Sequence, residues 1–352
     1  MMKSSVSLCS GIMPYETTME ALKLVKDVIL ERLEKWEKGR GKKEKKILIK
    51  PNLLSTDLNY FCNTSVDHCL AIADFFENIG NYNIFIGDGT TYESKKNPST
   101  LKALENHGFM KYRGKWMPME LHDDKPGRWF EIVNHESDGV IELAIARLSI
   151  DAFLVSAAKL KTHDVLGLTL SIKNLMGCLN AARYKGKRKI LKKGDVKGFM
   201  HGFLDKKPHL LTKEQNIGPS KVALAANIIK MASCRQPDLS VIDGSSVMEG
   251  KGPRRGNACE DLGNIALAGT DAVAVDATCA RIAGFSLESF QYIRIAGMLG
   301  LGNHLEKNIS YLGMDPSKMR ASVNPHPLFN EASPWKDEEI RDLSSFVGLN
   351  GE

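Results

Sequence analysis

Residues 158–180 carry the densest set of side chains in the sequence that could do chemistry. Lys159, Lys161, His163 and Lys173 occur there among apolar residues. After His163, leucine and isoleucine recur at helical spacing and apolar residues cover the other faces, so we predict a buried helix that contains Lys173. A buried ammonium must find an anionic partner or lose its proton. Lys173 is therefore a candidate for base, Schiff-base or covalent chemistry, with a structural lysine–carboxylate pair as the alternative.

His163 is predicted to lie at the N-terminus of this helix, where Asp164 would be the N-cap. A single histidine is more often a hydrogen-bonded structural residue than a ligand. Here Lys159 and Lys161 precede it closely, and anions bind well at helix N-termini that are lined with cations. We therefore predict a carboxylate or phosphate pocket in which His163 performs acid/base work.

Polar residues directly follow several of the predicted strands. In open α/β sheets the ligand crevice lies outside the carboxyl ends of the strands, so these residues are expected to converge at one edge. With Asn174 beside Lys173, and Glu249 in a glycine-rich turn, they form the predicted substrate-binding set: Lys50, Asn52, Asp88, Lys159, Lys161, Asn174, Asp243 and Glu249.

Asp276 is a third catalytic candidate beside His163 and Lys173. It belongs to a helix that is predicted to begin after the cap Asp271 and to close at Gly284. Small neighbours surround its carboxylate, which must therefore meet a partner in a close-packed surface. A salt bridge to a buried lysine such as Lys173 would stabilise the fold and would also form part of the site. The sequence supports this bridge and its absence equally.

The turn at residues 249–256 is rich in glycine and carries charge at both ends. It lacks the G-x-x-x-x-G-K-[ST] order of a Walker A motif, and no G-x-G-x-x-G follows a predicted strand. The sequence thus gives no positive support for nucleotide binding.

Short runs rich in β-branched residues alternate with helical patterns along the chain. The predicted strands are residues 46–50, 82–87, 152–155, 239–242 and 265–268, and the predicted helices are 18–36, 66–77, 99–106, 220–232, 271–283 and 287–298. This alternation predicts an α/β fold with a largely parallel sheet and helices on both faces.

The domain organisation follows from the same pattern. We predict a single α/β domain over residues 1–325, or alternatively two lobes, about 1–180 and 217–325, with a basic loop, 181–216, between them. Residues 326–352 are predicted to be a peripheral C-terminal tail that ends in a charged helix.

Length and composition are those of an ordinary globular protein. The chain has 352 residues, 43% hydrophobic and 26% charged, with a net charge of +6, which excludes a disordered chain, a collagen and a disulfide mini-scaffold. Its seven cysteines form no C-x-x-C pair, so neither a disulfide framework nor a local iron–sulfur motif is expected. Without a stretch apolar enough for a membrane helix or a signal peptide, we expect a cytoplasmic protein with no membrane partner.

Residues 183–213 hold eleven Lys and Arg against two Asp. The segment contains glycine and shows little apolar periodicity, which predicts a lid-like loop beside the site. Alternatively it is a surface that binds a partner or nucleic acid, with Tyr184 and Phe199 stacking on bases. Basic loops in metabolic enzymes also close over anionic substrates, so the lid is preferred.

Six sequence blocks resemble, in type and order, those of domain-of-unknown-function family 362. They are residues 49–53, 159–163, 172–177, 241–244, 248–253 and 271–277. Many members of that family carry an additional ferredoxin-like segment with four-cysteine cluster motifs, which this sequence lacks. The resemblance implies no particular reaction, but it raises an electron-transfer or iron–sulfur protein as an expected partner.

A second, partial resemblance rests on His163, Gly167, Lys173 and Gly177, followed by His201. This spacing is similar to the catalytic segment of nickel-pincer lactate racemases. In that family the lysine tethers a pincer nucleotide, the later histidine helps to hold nickel and the earlier one is an acid/base group. The resemblance implies these roles for Lys173, His201 and His163, with nickel or iron as the metal and His163 as a second ligand candidate. The residues before Lys173 and the long gap to His201 depart from the family pattern.

Three functions agree with these observations. The first is an enzyme, racemase-like or linked to an oxidoreductase, that acts on a small carboxylate-bearing anion by proton or hydride transfer. The second is a non-catalytic carrier of a metal, an iron–sulfur cluster or a cofactor. The third is nucleic-acid binding through the basic loop.

Overall fold

A computed structural model describes residues 3–39, 41, 44–56, 61–90, 100–135, 140–185, 189–190, 196–202, 217–332 and 334–349. Thirteen strands are found there: β1 Ser4–Ser10, β2 Lys46–Pro51, β3 Asn83–Asp88, β4 Met117–Glu120, β5 Pro126–Ile132, β6 Ile141–Ala146, β7 Phe153–His163, β8 Gly167–Thr169, β9 Leu179–Lys185, β10 Lys189–Ile190, β11 Leu239–Glu249, β12 Asn257–Gly269 and β13 Ile309–Gly313.

The helices in the same part of the chain are α1 Pro14–Leu24, α2 Lys26–Lys38, α3 Val66–Ile79, α4 Thr100–Asn106, α5 Arg147–Asp151, α6 Ser171–Asn174, α7 Val196–Phe199, α8 Ile217–Cys234, α9 Ala272–Ile282, α10 Gln291–Met298, α11 Pro327–Ala332 and α12 Asp337–Val347. Among them, no helix has the length and apolar character needed to cross a membrane.

The main sheet has the strand order β13-β1-β12-β11-β7-β2-β3-β4, with β8 added as a hairpin partner of β7. The pairings of β11 with β7, β7 with β2, β2 with β3 and β3 with β4 are all parallel. Within this eight-strand path, β12 is the strand that runs against the others, since it pairs antiparallel with both β1 and β11. The largely parallel sheet predicted from the sequence is confirmed.

Both faces of this sheet are covered by apolar side chains. Within β2, Leu48 belongs to one hydrophobic cluster, whereas Ile47 and Ile49 belong to another. Successive strand residues point to opposite faces, so the two clusters lie on opposite sides of the sheet. A strand that is buried on both faces has a continuous apolar sequence. The central strands could be predicted from such runs.

A second, antiparallel sheet has the order β10-β9-β6-β5. Strand β9 leads into the basic segment, of which residues 186–188, 191–195 and 203–216 lie outside the described part of the chain. The predicted lid and its alternative as a partner-binding surface therefore stay predictions.

Side-chain caps define where two important helices begin. Ser65 accepts a hydrogen bond from the backbone N–H of Asp67 at the start of α3. Asp271 does the same for Ala274 at the start of α9, which confirms the cap predicted there. By contrast, the helix predicted over residues 18–36 is divided at Val25 into α1 and α2.

The buried helix predicted after Asp164 is wrong. The chain instead turns back at Gly167, which has a φ of 80°, and forms β8 against the end of β7. The four-residue helix α6 and a 3-10 turn over residues 175–178 follow before β9 begins. His163 is consequently the last residue of a strand and not the first of a helix. Each of these short elements is buried on every side, so apolar residues occur at most positions of the segment. Their match to helical spacing is therefore a coincidence.

The C-terminal segment, predicted to be a peripheral tail, buries part of its surface in the core. Phe329 and Leu343 are fully or almost fully buried. Lys221 of α8 pairs with Glu339 of α12 at 2.9 Å, and its ammonium lies 4.6 Å from the ring centre of Trp335. The segment therefore packs on α8. The predicted division into domain, lobes and tail stays a prediction.

We expect Leu343→Ala to lower the free energy of unfolding by about 3 kcal/mol, because it removes a fully buried side chain and leaves a cavity. Phe346→Ala on the same helix is the control, since Phe346 is 36% exposed and its loss should cost about 1 kcal/mol or less. Urea unfolding of both variants measures the difference, and equal losses would show that α12 is not anchored through Leu343.

Candidate functional site

A buried ion pair joins the carboxyl ends of β2 and β3. Lys50 Nζ lies 2.8 Å from Asp88 Oδ1, and both side chains are almost fully buried. Lys50 also donates to Asn174 Oδ1 at 2.6 Å, while Asp88 accepts from the backbone N–H of Leu53 at 2.7 Å. Burial alone would raise the pKa of Asp88, but the charge of Lys50 holds it below its usual value. The predicted residues Lys50, Asp88 and Asn174 are thus brought together.

Asn174 connects the segment that contains Lys173 to the Lys50–Asp88 pair by hydrogen bonds. Its side-chain nitrogen donates to Lys50 O at 3.0 Å and to Ser156 Oγ at 3.1 Å. Asn52, also predicted for the site, donates to Asn174 Oδ1 at 3.3 Å. The amide group of Asn174 therefore fixes the position of α6 relative to the ends of β2 and β7.

Gly177 allows the following turn to approach the ion pair closely. Its carbonyl accepts a hydrogen bond from Gly89 N–H at 2.7 Å. A methyl group at this position would overlap with Asp88 Oδ1 and with the end of the Lys50 side chain. Only glycine is therefore small enough for this position.

A second buried pair joins the neighbouring strands β7 and β11. Lys159 and Asp243 are adjacent in the parallel register, and Lys159 Nζ lies 3.2 Å from Asp243 Oδ2. The same carboxylate oxygen accepts from Ser65 N–H at the start of α3 at 2.7 Å. Burial would raise the pKa of Asp243, yet the charge of Lys159 lowers it well below its usual range. Two of the predicted lysines are thus neutralised by predicted aspartates.

Lys161 has a different environment. Its side chain is 1% exposed, and its ammonium donates to the backbone carbonyl of Cys62 at 2.5 Å, with Cys62 Sγ at 3.7 Å. Within the described part of the chain it has no carboxylate partner. Burial lowers the pKa of Lys161 to about 8, and the charges of Lys197 and Lys159 act in the same direction.

Lys173 is the second lysine of this kind. No hydrogen bond or ion pair joins its ammonium to any residue that the structure describes, and its side chain is partly exposed. Desolvation, together with the charges of Lys161, Lys197 and Lys50, lowers the pKa of Lys173 to about 7, against the effect of Asp164. The lowered pKa expected for Lys173 from the sequence therefore has a physical basis in burial and in neighbouring positive charge.

His163 stands beside Asp164 at the end of β7. Its Nδ1 lies 2.9 Å from Asp164 Oδ1. Desolvation and the charge of Lys173 lower the pKa of His163 to about 4. Burial would raise the pKa of Asp164, but His163 brings it well below its usual range. The backbone N–H of Val165 also points at Nδ1, at 3.1 Å, and donates to it in the tautomer that carries its proton on Nε2. In the other tautomer Nδ1 donates to Asp164, and the Nε2 lone pair is available to accept a proton.

His201 lies near the same group, as the sequence predicted. Its charge interacts with those of His163, Asp164 and Lys173, and its Nδ1 is 3.0 Å from Ser220 Oγ. Desolvation lowers the pKa of His201 to about 3. However, the described residues contain no group of three or more His, Cys, Asp or Glu side chains placed to hold a metal ion. The metal roles predicted for His163 and His201 gain no support, and we assign no metal.

Two predicted site residues have other partners. Asp276 accepts hydrogen bonds from the backbone N–H groups of Ser171 and Ile172, at 2.8 and 2.9 Å, and so caps α6. Burial raises the pKa of Asp276 to about 7 although these bonds oppose the rise. The salt bridge suggested between Asp276 and Lys173 is not formed. Glu249 binds the backbone and side chain of Asn324 and thereby holds the C-terminal segment.

Four residues near the lysines were not assigned from the sequence. Asp164 was predicted as a helix cap only, Cys62 was one of seven cysteines without a C-x-x-C pair, and Lys197 was only part of the basic segment. His326 comes from the segment predicted to be peripheral, yet its charge interacts with that of Asp164. The basic composition around Lys197 was a usable signal, whereas nothing local distinguishes His326 or Cys62.

Comparison with known families identifies the scaffold. Residues 47–281, about two thirds of the chain, match the model of the family described as a domain of unknown function, DUF362. The chain belongs to the DUF362 family. The match covers the lysines, aspartates and histidines described above, except His326, so the candidate site of this DUF362 protein lies almost entirely within the family domain.

One curated relative is a thylakoid-associated protein of Synechocystis sp., 25% identical to this DUF362 protein over 217 residues. The match covers 61% of this chain and 56% of the relative, so the chain spans little more than half of that protein. A crystal structure of a Thermotoga maritima protein from a structural genomics consortium aligns with a TM-score of 0.40 and 12% identity, covering 77% of this chain and 60% of the other. The resemblance to nickel-pincer lactate racemases is not shown by these matches.

We expect Gly177→Ala to lower the free energy of unfolding by about 2 kcal/mol, because the new methyl group displaces the buried Lys50–Asp88 pair. Gly114→Ala is the control, since an added methyl group at Gly114 would meet no atom within 4 Å. Chemical denaturation of both variants checks this. Equal stabilities would mean that the turn can move away from the ion pair without cost.

Proposed function

We propose that this DUF362 protein is an enzyme that binds a small carboxylate-bearing metabolite and transfers a proton to or from it. The observation that carries the proposal is the pair Lys161 and Lys173, two lysines without a carboxylate partner among the described residues. The site lies at the carboxyl edge of the sheet, where open α/β folds bind their ligands.

The charges of the site are unbalanced in favour of positive groups. Lys50 and Lys159 are each matched by an aspartate at hydrogen-bond distance. Lys161 and Lys173 have no such partner among the described residues, and the charge of Lys161 lowers the pKa of Lys173. A buried positive charge is stabilised by an anion that also accepts its hydrogen bonds. A bound carboxylate would supply this missing charge, and it would favour the ammonium form of both lysines.

The same anion would prepare His163 for acid/base work. The charge of Lys173 is one reason why the pKa of His163 is low. A carboxylate bound between the lysines would cancel that charge and raise the pKa of His163 towards neutrality, where proton transfer is most efficient. Asp164 would orient the imidazole through Nδ1. His163 is therefore the proposed proton-transfer residue, and Lys161 and Lys173 hold the substrate.

No comparable observation supports the other two functions, a carrier of a metal or cofactor and a nucleic-acid-binding protein. A carrier of a metal or cluster would need a ligand set, and the described residues offer no group of three suitable side chains. Nucleic-acid binding rests on the basic segment, most of which lies outside the described residues. Both readings stay predictions, as do the cytoplasmic location and an electron-transfer partner.

We expect carboxylate binding to be accompanied by proton uptake between pH 7 and 8. The anion favours the ammonium forms of Lys161 and Lys173, whose pKa values in the free protein are about 8 and about 7, so binding raises both values and affinity falls as the pH rises. Calorimetric titration with lactate and with pyruvate, in two buffers of different ionisation enthalpy, counts the protons.

In this titration Lys161→Met should weaken binding by about tenfold or more, because a hydrogen bond to a charged group is lost. Lys102→Met removes an exposed lysine that pairs with Glu105, and it should leave affinity and proton uptake unchanged. Binding of neither lactate nor pyruvate, or binding without proton uptake, would contradict the proposed function.

We expect Lys173→Met to raise the pKa of His163, because it removes the neighbouring positive charge that lowers it. An NMR titration of the histidine ring protons measures the value, with His163→Asn used to assign the signal. The Lys102→Met protein should titrate like the original. An unchanged pKa of His163 in Lys173→Met would show that the two groups are not electrostatically coupled.

A further inference from the structure

Lys173 differs from the other lysines of the site in its freedom to react. Lys50, Lys159 and Lys161 each donate hydrogen bonds from Nζ to named oxygen atoms. A nitrogen held in this way as an ammonium has no lone pair to offer. Lys173 has no such acceptor among the described residues, and the residue is partly exposed.

The backbone that carries Lys173 is held firmly on both sides. Asp276 binds the N–H groups of Ser171 and Ile172, which precede it. Asn174, which follows it, binds Lys50 and Ser156. A reactive side chain on a fixed short helix meets the requirement that nucleophiles be positioned by rigid neighbours.

We propose that Lys173 forms an imine with the carbonyl carbon of a 2-oxo acid, an inference that rests on the proposed function because it names the substrate of the same site. In such a molecule the carboxylate adjoins the carbonyl group. It can therefore bind Lys161, whose charge acts on Lys173, while the carbonyl carbon faces the Lys173 amine. Lysines that are desolvated or lie beside another cation are activated for this chemistry.

The reaction balances without an oxidant or reductant. The lone pair of Lys173 Nζ forms a bond to the carbonyl carbon, and the carbonyl π electrons move to oxygen. One proton from the nitrogen passes to His163, and the oxygen takes up another from solvent to become a hydroxyl group. His163 then returns its proton to that hydroxyl group, the C–O bond breaks, and water leaves as the C–N double bond forms. The products are a protonated imine and one water molecule.

The test is reductive trapping of the full chain with pyruvate and cyanoborohydride. Hydride reduction of the imine leaves one carboxyethyl group on nitrogen, which intact-mass spectrometry detects and peptide mapping locates. We expect one such group on Lys173 and background labelling only on an exposed lysine such as Lys102. Lactate, which has the carboxylate but no carbonyl group, should give no adduct and should slow labelling by competition.

Two variants separate reaction from binding. Lys173→Arg keeps the positive charge but cannot form a reducible imine, so it should still bind pyruvate and should lose the adduct. Lys161→Met should retain the nucleophile and label at least tenfold more slowly at low pyruvate concentration, because the carboxylate contact is lost.

The outcomes distinguish this inference from the proposed function. If pyruvate binds with proton uptake but Lys173 is labelled no more than Lys102, the imine is refuted and the anion site stands. If Lys173 is labelled selectively and Lys161→Met is labelled as fast as the original protein, the imine stands and the anion site at Lys161 is refuted. If there is neither binding nor selective labelling, both are refuted.

Discussion

Lysine ammonium groups buried at the carboxyl edge of a parallel sheet must be given acceptors, and much of this structure follows from that requirement. The pairs Lys50–Asp88 and Lys159–Asp243 join neighbouring strand ends at 2.8 and 3.2 Å. Removing one partner of a buried pair typically costs about 3 to 5 kcal/mol, because an uncompensated charge stays behind. The aspartates also bind the N–H groups of Leu53 and Ser65, so the loops that follow β2 are fixed by the same two carboxylates. Strand order, loop position and the start of α3 are coupled through these pairs.

Against that background, the environment of Lys161 and Lys173 is a functional signal. The fold supplies a carboxylate for Lys50 and Lys159 but, among the described residues, none for Lys161 and Lys173, whose pKa values are lowered. An anionic ligand would provide the charge that these residues do not, which is the basis of the proposed function. Strongly perturbed titratable groups are frequent at functional sites.

The sequence allowed the sheet and half of the site to be predicted, and the physical reason is local. Lys50, Asp88, Lys159 and Asp243 each occur at or soon after the point where an apolar run ends, and parallel strands place such points at one edge. The element after His163 was predicted wrongly because helical spacing and a series of short buried elements give the same apolar pattern. Gly167 turns the chain back through its positive φ, and Asp276, from the distant helix α9, binds the backbone at the start of α6. The glycine is visible in the sequence, but its left-handed conformation and the approach of Asp276 are not.

Residues that come from far along the chain were beyond prediction for a related reason. The charge of His326 acts on Asp164, and Phe329, three residues later, lies close to Gly167. No pattern near either residue indicates that approach. Lys197 acts on Lys161, Lys173 and Asp88 at once, although in the sequence it is one basic residue among eleven in its segment.

The protonation states of the site are linked through one quantity, its excess positive charge. Part of the charge that lowers the pKa of Lys173 to about 7 also lowers that of His163 to about 4. In the free protein near neutral pH, His163 is therefore neutral, and a substantial fraction of Lys173 is an amine. A bound anion raises both pKa values, so the histidine becomes a stronger base and the lysine is more fully protonated. Imine formation needs the amine form of Lys173. Proton exchange is fast compared with attack on a carbonyl group, so the reaction draws on the amine fraction that is left when the carboxylate is bound. A substrate whose carbonyl group adjoins its carboxylate can react from that fraction, because binding holds the carbonyl carbon near the amine.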